Sequence, residues 1–300
     1  FFPIKNVFSG KLVEQTRYGE NPHQKAAIYN QNSNQNIIQI SGKNLSYNNY
    51  NDLYSALNIT KSLPKNKGVA IIKHTNPCGV SVNANKIKSF KEALESDPIS
   101  AYGGILSCNF KLNINLAKEI NKIFFEVIIA NGFDKKSIKL LKKKKNLRII
   151  DSSKLQESFE VNFLSKFNSI LVQSKDNNIF SKKNFNVVSK KKPSNETLNK
   201  LIFAFNICRH IKSNAIVITN HYKTIGIGSG QPSRLDSCKI AIDKMKKFQK
   251  INNDDELLAA SDAFFPFVDG IEKLVQAGIT AVIQPSGSKN DKEIIKFANQ

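Results

Sequence analysis

Residues 71–80, IIKHTNPCGV, set Lys73 and His74 side by side where an apolar run ends and a Pro-containing turn begins. An imidazole titrates near neutrality and can take a proton, and an adjacent ammonium can stabilise an oxyanion, so the pair has the makings of general-base chemistry. It also has a plainer reading, because polar residues commonly mark the exit of a buried strand.

His74 followed by Pro77-Cys78 invites comparison with the zinc deaminases, whose signature is H-x-E and later P-C-x-x-C. Here position 76 is Asn and position 81 is Ser, so three metal ligands cannot be assembled locally, and no metal is expected. Cys78, Cys108, Cys208 and Cys238 stand far apart without a CxxC pair, which disfavours a disulfide framework and a multi-cysteine zinc site. A reducing cytoplasm is the expected location.

Three further stretches could hold ligands. RYGENPHQ (17–24) combines an Arg, a phenol, a Gly and an Asn-Pro turn; it can hold a phosphate or be an ordinary surface turn. IGIGSGQPSR (225–234) lacks the GxGxxG spacing, but Gly226, Gly228 and Gly230 are expected to let backbone approach a ligand, and Ser233 and Arg234 at a helix start suit an anion. SDAFFPFVDG (261–270) sets Phe264, Phe265, Pro266 and Phe267 between Asp262 and Asp269. Such a cluster is usually core; the alternative is a loop that sandwiches a flat heterocycle while a carboxylate accepts from its amino groups.

The net charge of +21 looks like a nucleic-acid signal, yet of 45 basic residues only Arg17, Arg148, Arg209 and Arg234 are arginine. Scattered Lys is a weaker pointer than a clustered basic stripe, and no nucleic-acid partner is expected. Against that Lys background, Arg17 and Arg234 in Gly-containing turns hint at a need for the planar fork that grips phosphate or carboxylate.

The elements that must position these residues alternate β and α, so the class is α/β. Strands are predicted at 68–73, 103–108, 126–130, 147–151, 169–173, 214–219, 223–228 and 279–284. Helices are predicted near 85–95, 114–123, 135–143, from Ser194 to His210, and 233–248. VAIIK and NAIVIT open two series with one rhythm, which hints at duplication and two α/β lobes, 1–185 and 186–300, joined through the polar stretch 174–195. Apolar runs are too short to span a membrane, and the start, FFPIKNVFSG, does not read as a signal peptide. It has no initiator Met, and the chain is expected to be a piece of something longer.

Taken in order, RYGENPHQ, KHTNPCGV, SDPISAYGG, SNAIVI, IGIGSGQPSR and SDAFFPFVDGIE…GITAVIQPSGS resemble the AICAR transformylase part of the bifunctional purine biosynthesis proteins, over nearly the whole chain. The resemblance implies two cytidine-deaminase-like lobes without zinc. It also implies formyl transfer from 10-formyltetrahydrofolate to the 5-amino group of AICAR, and a homodimer whose sites lie between subunits. It makes His74 the base and Lys73 the oxyanion partner, with Asn214 fixing the carboxamide. Arg17, Tyr18 and Lys145 would approach the phosphate; Gly103, Glu126, Asn214, Arg234 and Phe264 would surround ribose and base. Leu235, Asp269, Ser288 and Lys289 would contact the folate.

The chain departs from the family at Asn168-Ser169, where relatives commonly carry two glycines, and at Val268, where an Arg usually stands. The IMP cyclohydrolase domain and an arginine-bearing tail are expected outside this sequence. Competing readings are a deaminase relative, a zinc-free deaminase-fold nucleotide-binding protein without catalysis, and a basic RNA-binding module.

Overall fold

The structure is a computed structural model and describes residues 2–30, 37–155, 161–176, 178 and 180–300. In chain order the first series is β1 (Lys11–Thr16), β2 (Ala26–Asn30), β3 (Ile38–Ser41), α1 (Tyr47–Ser62), β4 (Gly68–Lys73), β5 (Asn76–Val82), α2 (Lys86–Ser96), α3 (Pro98–Ala101), β6 (Ile105–Cys108), α4 (Ile114–Ile120), β7 (Val127–Ala130), α5 (Lys135–Leu141), β8 (Arg148–Asp151), β9 (Val161–Lys166) and β10 (Ser169–Ser174). The second is α6 (Asn195–Cys208), β11 (Ile216–Asn220), β12 (Lys223–Gly228), α7 (Arg234–Phe248), β13 (Leu257–Ser261), α8 (Val268–Gln276), β14 (Ala281–Ile283) and α9 (Asp291–Ala298).

Among the described residues, ten strands form one mixed sheet in the order β14-β13-β11-β12-β5-β4-β6-β7-β8-β3. Within it a pattern recurs. A helix (α1 or α6) leads into an antiparallel hairpin (β4–β5 or β11–β12) and a second helix (α2 or α7). An antiparallel strand (β6 or β13) then pairs with the hairpin's first strand, and a further helix leads to a parallel strand (β7 or β14). The two series meet where β5 and β12 pair antiparallel, with Lys223 opposite Ser81. Lys244 of α7 adds an ion pair at 2.9 Å to the buried Asp97, between α2 and α3.

Both faces of the sheet are covered, which is why its strands read as continuous apolar runs rather than alternating ones. Ala70 and Ile72 point to the α1/α6 side, where one core runs through both series and includes Leu53, Leu57, Val217 and Ile227. Val69 and Ile71 point the other way, into a cluster with Phe90 and Leu116; a separate cluster around Ile218, Ala241 and Leu274 covers the second series. Among the described residues no helix is long and apolar enough to cross a membrane.

Several features differ from the sequence expectations, these four among them. The strand expected at 169–173 exists but pairs with β9 in a ribbon outside the main sheet. The stretch after Lys73 is not a loose exit: Asn76–Val82 is the return strand of a hairpin. Helix α1 was not expected, although Ser46 and Asn49 form a capping box at its start. The connector stretch 174–195 carries a short 3-10 turn at Lys182–Asn184, and residues 177 and 179 lie outside the described residues.

Candidate active site

β4 and β5 are joined by two residues, His74 and Thr75, with φ of 51° and 63°. Left-handed backbone at both positions is what a two-residue hairpin turn matched to strand twist requires, and Asn-Gly is the usual solution. A β-branched Thr is poorly suited to its second position. Asp52 of α1 supplies the restraint: its carboxylate accepts the N–H of Thr75 at 2.6 Å and of His74 at 3.2 Å. Ser55, one turn along α1, donates its hydroxyl to the Thr75 carbonyl at 2.7 Å. Burial pushes the Asp52 carboxyl above its ordinary value, while the turn's N–H donors pull the other way. The imidazole of His74 stands exposed at the rim, and Lys73 donates its ammonium to the Tyr102 carbonyl at 2.8 Å.

The neighbouring strand starts carry the next candidates. Gly103 has φ of 74° and donates to the Phe124 carbonyl at 2.9 Å, so a side chain there would be strained whatever space it had. Glu126 accepts from Asn49 of α1 at 2.9 Å and lies 3.8 Å from Arg148. Lys145 is exposed just before β8, whereas its neighbour Lys144 turns back onto the carbonyls of Asn121 (2.6 Å) and Ile123 (3.0 Å). Arg17 and Tyr18 sit outside the sheet, in the loop joining β1 and β2, with the guanidinium 5.8 Å from the Tyr18 ring centre. That loop is tied to the start of α1 by Asn48 donating to the Glu20 carbonyl at 3.2 Å, and its strand by Tyr50 donating to Glu14 at 2.8 Å.

A second cluster lies in the second series. Arg234, the first residue of α7, donates at 2.6 Å each to Asp262, Ser261 and the Asn214 side-chain oxygen. The Asn214 amide donates to the carbonyls of Gln231 (2.8 Å) and Pro232 (3.0 Å). Asp262 also accepts from Ser213 and from the Ala215 N–H. Burial alone would raise the Asp262 carboxyl, but these donors outweigh it and hold the group below its usual range.

These contacts correct three expectations. The fork of Arg234 is spent on protein partners, so it holds Asn214 and Asp262 in place rather than standing open for an anion. Asp262 faces that guanidinium and not a heterocycle. Gly226 and Gly228 do not leave room for a ligand: a Cβ on them would lie 2.1 Å from the Ala241 carbonyl and 2.0 Å from the Ser237 carbonyl, so they let α7 pack on β12. Gly230, with φ of 66°, has open space around it. The aromatic cluster divides: Phe265 is 1 % exposed, in the core, and Phe264 is 39 % exposed. Phe264 belongs to a loop stitched to residues 284–290 by Phe265 N–H donating to Gln284 (3.1 Å) and Asn290 donating to the Pro266 carbonyl (2.6 Å). Asp269 is exposed in the first turn of α8; Ser288 and Lys289 lie in the stitched loop, and Leu235 follows Arg234.

Strand register shows how these groups relate. Ile72 pairs with Ile105, Ile105 with Val127, and Val127 with Arg148, which brings Lys73, His74, Gly103, Glu126 and Lys145 to one end of the sheet. Ile216 pairs with Gly228 and with Ser261, so Asn214, Arg234, Asp262 and Phe264 share an end as well. Because β12 runs antiparallel to β5 with Lys223 opposite Ser81, it is the same end. Lys73 and Asn214 are three strand intervals apart along it, roughly 14 Å at about 4.8 Å per strand.

The described cysteines are all buried and free, and burial pushes Cys78, Cys108 and Cys238 up to about 12, so none is a ready nucleophile. Among the described residues no three His, Cys, Asp or Glu side chains gather as a metal would need. Sequence reasoning missed Asp52, Ser55 and Asn49. Their available signal was α1 itself, whose buried Leu53, Ala56 and Leu57 recur at helical spacing.

Residues 2–244 match the family model described as AICARFT/IMPCHase bienzyme. Bifunctional purine biosynthesis protein PurH of Aquifex aeolicus is 42 % identical over 295 residues, covering 97 % of this chain and 57 % of the relative. The proteins of the same name from Parvibaculum lavamentivorans and Thermoanaerobacter sp. are each 41 % identical, over 99 % and 100 % of this chain and 58 % of their own length. The chain thus spans somewhat over half the length of the curated relatives it matches.

Proposed function

The chain belongs to the AICARFT/IMPCHase bienzyme family, and from that membership we propose that it transfers a formyl group from 10-formyltetrahydrofolate to the 5-amino group of AICAR, giving FAICAR on the route to IMP. The observation that carries this reading is the alignment of Lys73, His74, Gly103, Glu126, Asn214 and Phe264 along one end of one sheet.

The AICAR amine is conjugated with an imidazole bearing a carboxamide, which makes it a poor nucleophile in need of a base. His74 takes its proton as nitrogen attacks the formyl carbon, and the carbonyl becomes an oxyanion beside the Lys73 ammonium. Collapse breaks the bond to the folate nitrogen, which receives a proton and leaves as tetrahydrofolate. A positioned base supplies ~10²–10⁴-fold and one oxyanion donor ~10²–10³-fold; orientation of two substrates supplies the rest.

Asn214, clamped by Arg234, fixes the carboxamide; Glu126 and Gly103 meet the ribose, Phe264 the base, and Arg17, Tyr18 and Lys145 the phosphate. Leu235, Asp269, Ser288 and Lys289 face the folate. The recurring helix–hairpin–helix pattern supports two cytidine-deaminase-like lobes, 1–185 and 186–300. The separation of the two clusters, roughly 14 Å at about 4.8 Å per strand, supports a homodimer in which sites draw on both copies. Exposed Val13, Leu164, Phe167 and Leu171 on the β1–β2 and β9–β10 ribbons offer surface for that contact. The free thiols fit a cytoplasmic location. A cyclohydrolase activity would belong to the longer protein.

The test is formyl transfer by the full-length protein, followed as tetrahydrofolate release that depends on AICAR. Turnover requiring both substrates is expected; release of folate without AICAR, or none with both present, contradicts the reading.

A further inference from the structure

We infer that Asp52 is a positioning residue for the Lys73–His74 pair: its carboxylate, on the turn N–H groups of His74 and Thr75 at 3.2 and 2.6 Å, holds the hairpin tip in the left-handed shape that presents the imidazole at the rim. The inference rests on the formyl-transfer reading of His74.

Three observations carry it. The local sequence does not favour the turn at its second position, since a β-branched Thr lacks the freedom of the Gly that such turns prefer there, so a restraint from outside the turn helps to impose the shape. The position of Asp52 in its helix gives no capping reason for a carboxylate. It lies beyond the first turn of α1, where a carboxylate caps nothing and Asp is a weak helix former. Burial opposes its charge as well, so the carboxylate is kept there against both preferences. Finally, the second series contains a matched turn of the same length, His221-Tyr222, and there only His221 is left-handed, at φ 53°. The doubly left-handed tip therefore does not follow from hairpin length. It occurs where α1 offers a carboxylate to two N–H groups and Ser55 offers a hydroxyl to the Thr75 carbonyl.

Without Asp52 the tip relaxes towards ordinary backbone and the His74 ring moves relative to Asn214 and Phe264. Misplacement by about 1 Å is enough to cost ~10²-fold in rate. Binding of AICAR depends mainly on other groups, so the loss falls on kcat.

The experiment uses the full-length protein and Asp52→Asn, which keeps the shape but turns an N–H donor towards one of the two turn amides. The expected result is a kcat lower by ~10²-fold with the AICAR KM within about threefold. The amides of His74 and Thr75 lose hydrogen-exchange protection. Thr75→Gly, which makes the left-handed turn intrinsically favourable, then recovers at least about fivefold of kcat in the Asp52→Asn background. A merely structural role for Asp52 would not respond to glycine at position 75. The inference is overturned by kcat within threefold of the parent, by unchanged amide protection, or by a loss that Thr75→Gly does not relieve. If Asp52→Asn does not fold, Ser55→Ala loosens the same tip and is judged by the same glycine rescue. If His74→Ala proves fully active, the reading of His74 has failed, and amide protection alone decides whether Asp52 sets the turn.

Discussion

Arg234 donates to Asp262 at 2.6 Å with both side chains nearly out of water, 7 % and 12 % exposed, and the same guanidinium holds Asn214. Removing one partner of a buried pair strands the other charge, at about 3–5 kcal/mol. Asp262→Ala is therefore expected to lower the urea midpoint by that order with m unchanged, and to weaken AICAR binding through Asn214. The folded Asp262 carboxyl is depressed, so its contribution is present above the unfolded value of about 4 and is lost as pH falls through the folded value. The stability difference between parent and Asp262→Ala should accordingly shrink in acid; a constant difference would show that the charge plays no part.

At the other end of the proposed substrate, Arg17→Ala should weaken AICAR by about 1.5–3 kcal/mol, the worth of one charged hydrogen bond, or about 10–150-fold. The unphosphorylated riboside should bind the parent and variant alike. Equal losses for both ligands would move Arg17 away from the phosphate and make it a support for its loop.

Much of this arrangement could be read from residue order. β4 shows as VAIIK because it is buried on both faces, and α7 shows through Ser233 and its helical spacing. β5 did not show, since Pro77 in a central strand argues against one. It is tolerated because the register slips between Ile71 and Ile72, leaving Cys78 as an extra residue. The partners of site residues were the least legible. Asp52 lies 22 residues from His74, and nothing in local composition links a mid-helix Asp to a distant turn. Arg234 could be singled out as an arginine in a lysine-rich chain, but only the fold shows that Asp262 and Ser261 occupy its fork.

Acid should also act through His210, which burial, followed by the nearby Arg209 charge, pushes down to about 4. A depressed histidine contributes stability above its unfolded value near 6.5 and loses it as pH falls through about 4. The span corresponds to at most about 3 kcal/mol. The Tm of the parent should fall between these pH values more steeply than that of His210→Gln; parallel curves would contradict the assignment.

Sedimentation of the full-length protein should give a dimer, and Phe167→Asp on the exposed β9–β10 ribbon should shift it towards monomer while lowering formyl transfer. A monomer with full activity would exclude sites shared between copies.

Whether His74 is the base for formyl transfer to the AICAR amine is decided by single-turnover kinetics of His74→Ala with AICAR and 10-formyltetrahydrofolate. A base acts in the transition state more than on binding, so the rate should fall by ~10²–10⁴-fold with AICAR affinity within about tenfold. A variant that keeps most of its single-turnover rate would contradict it.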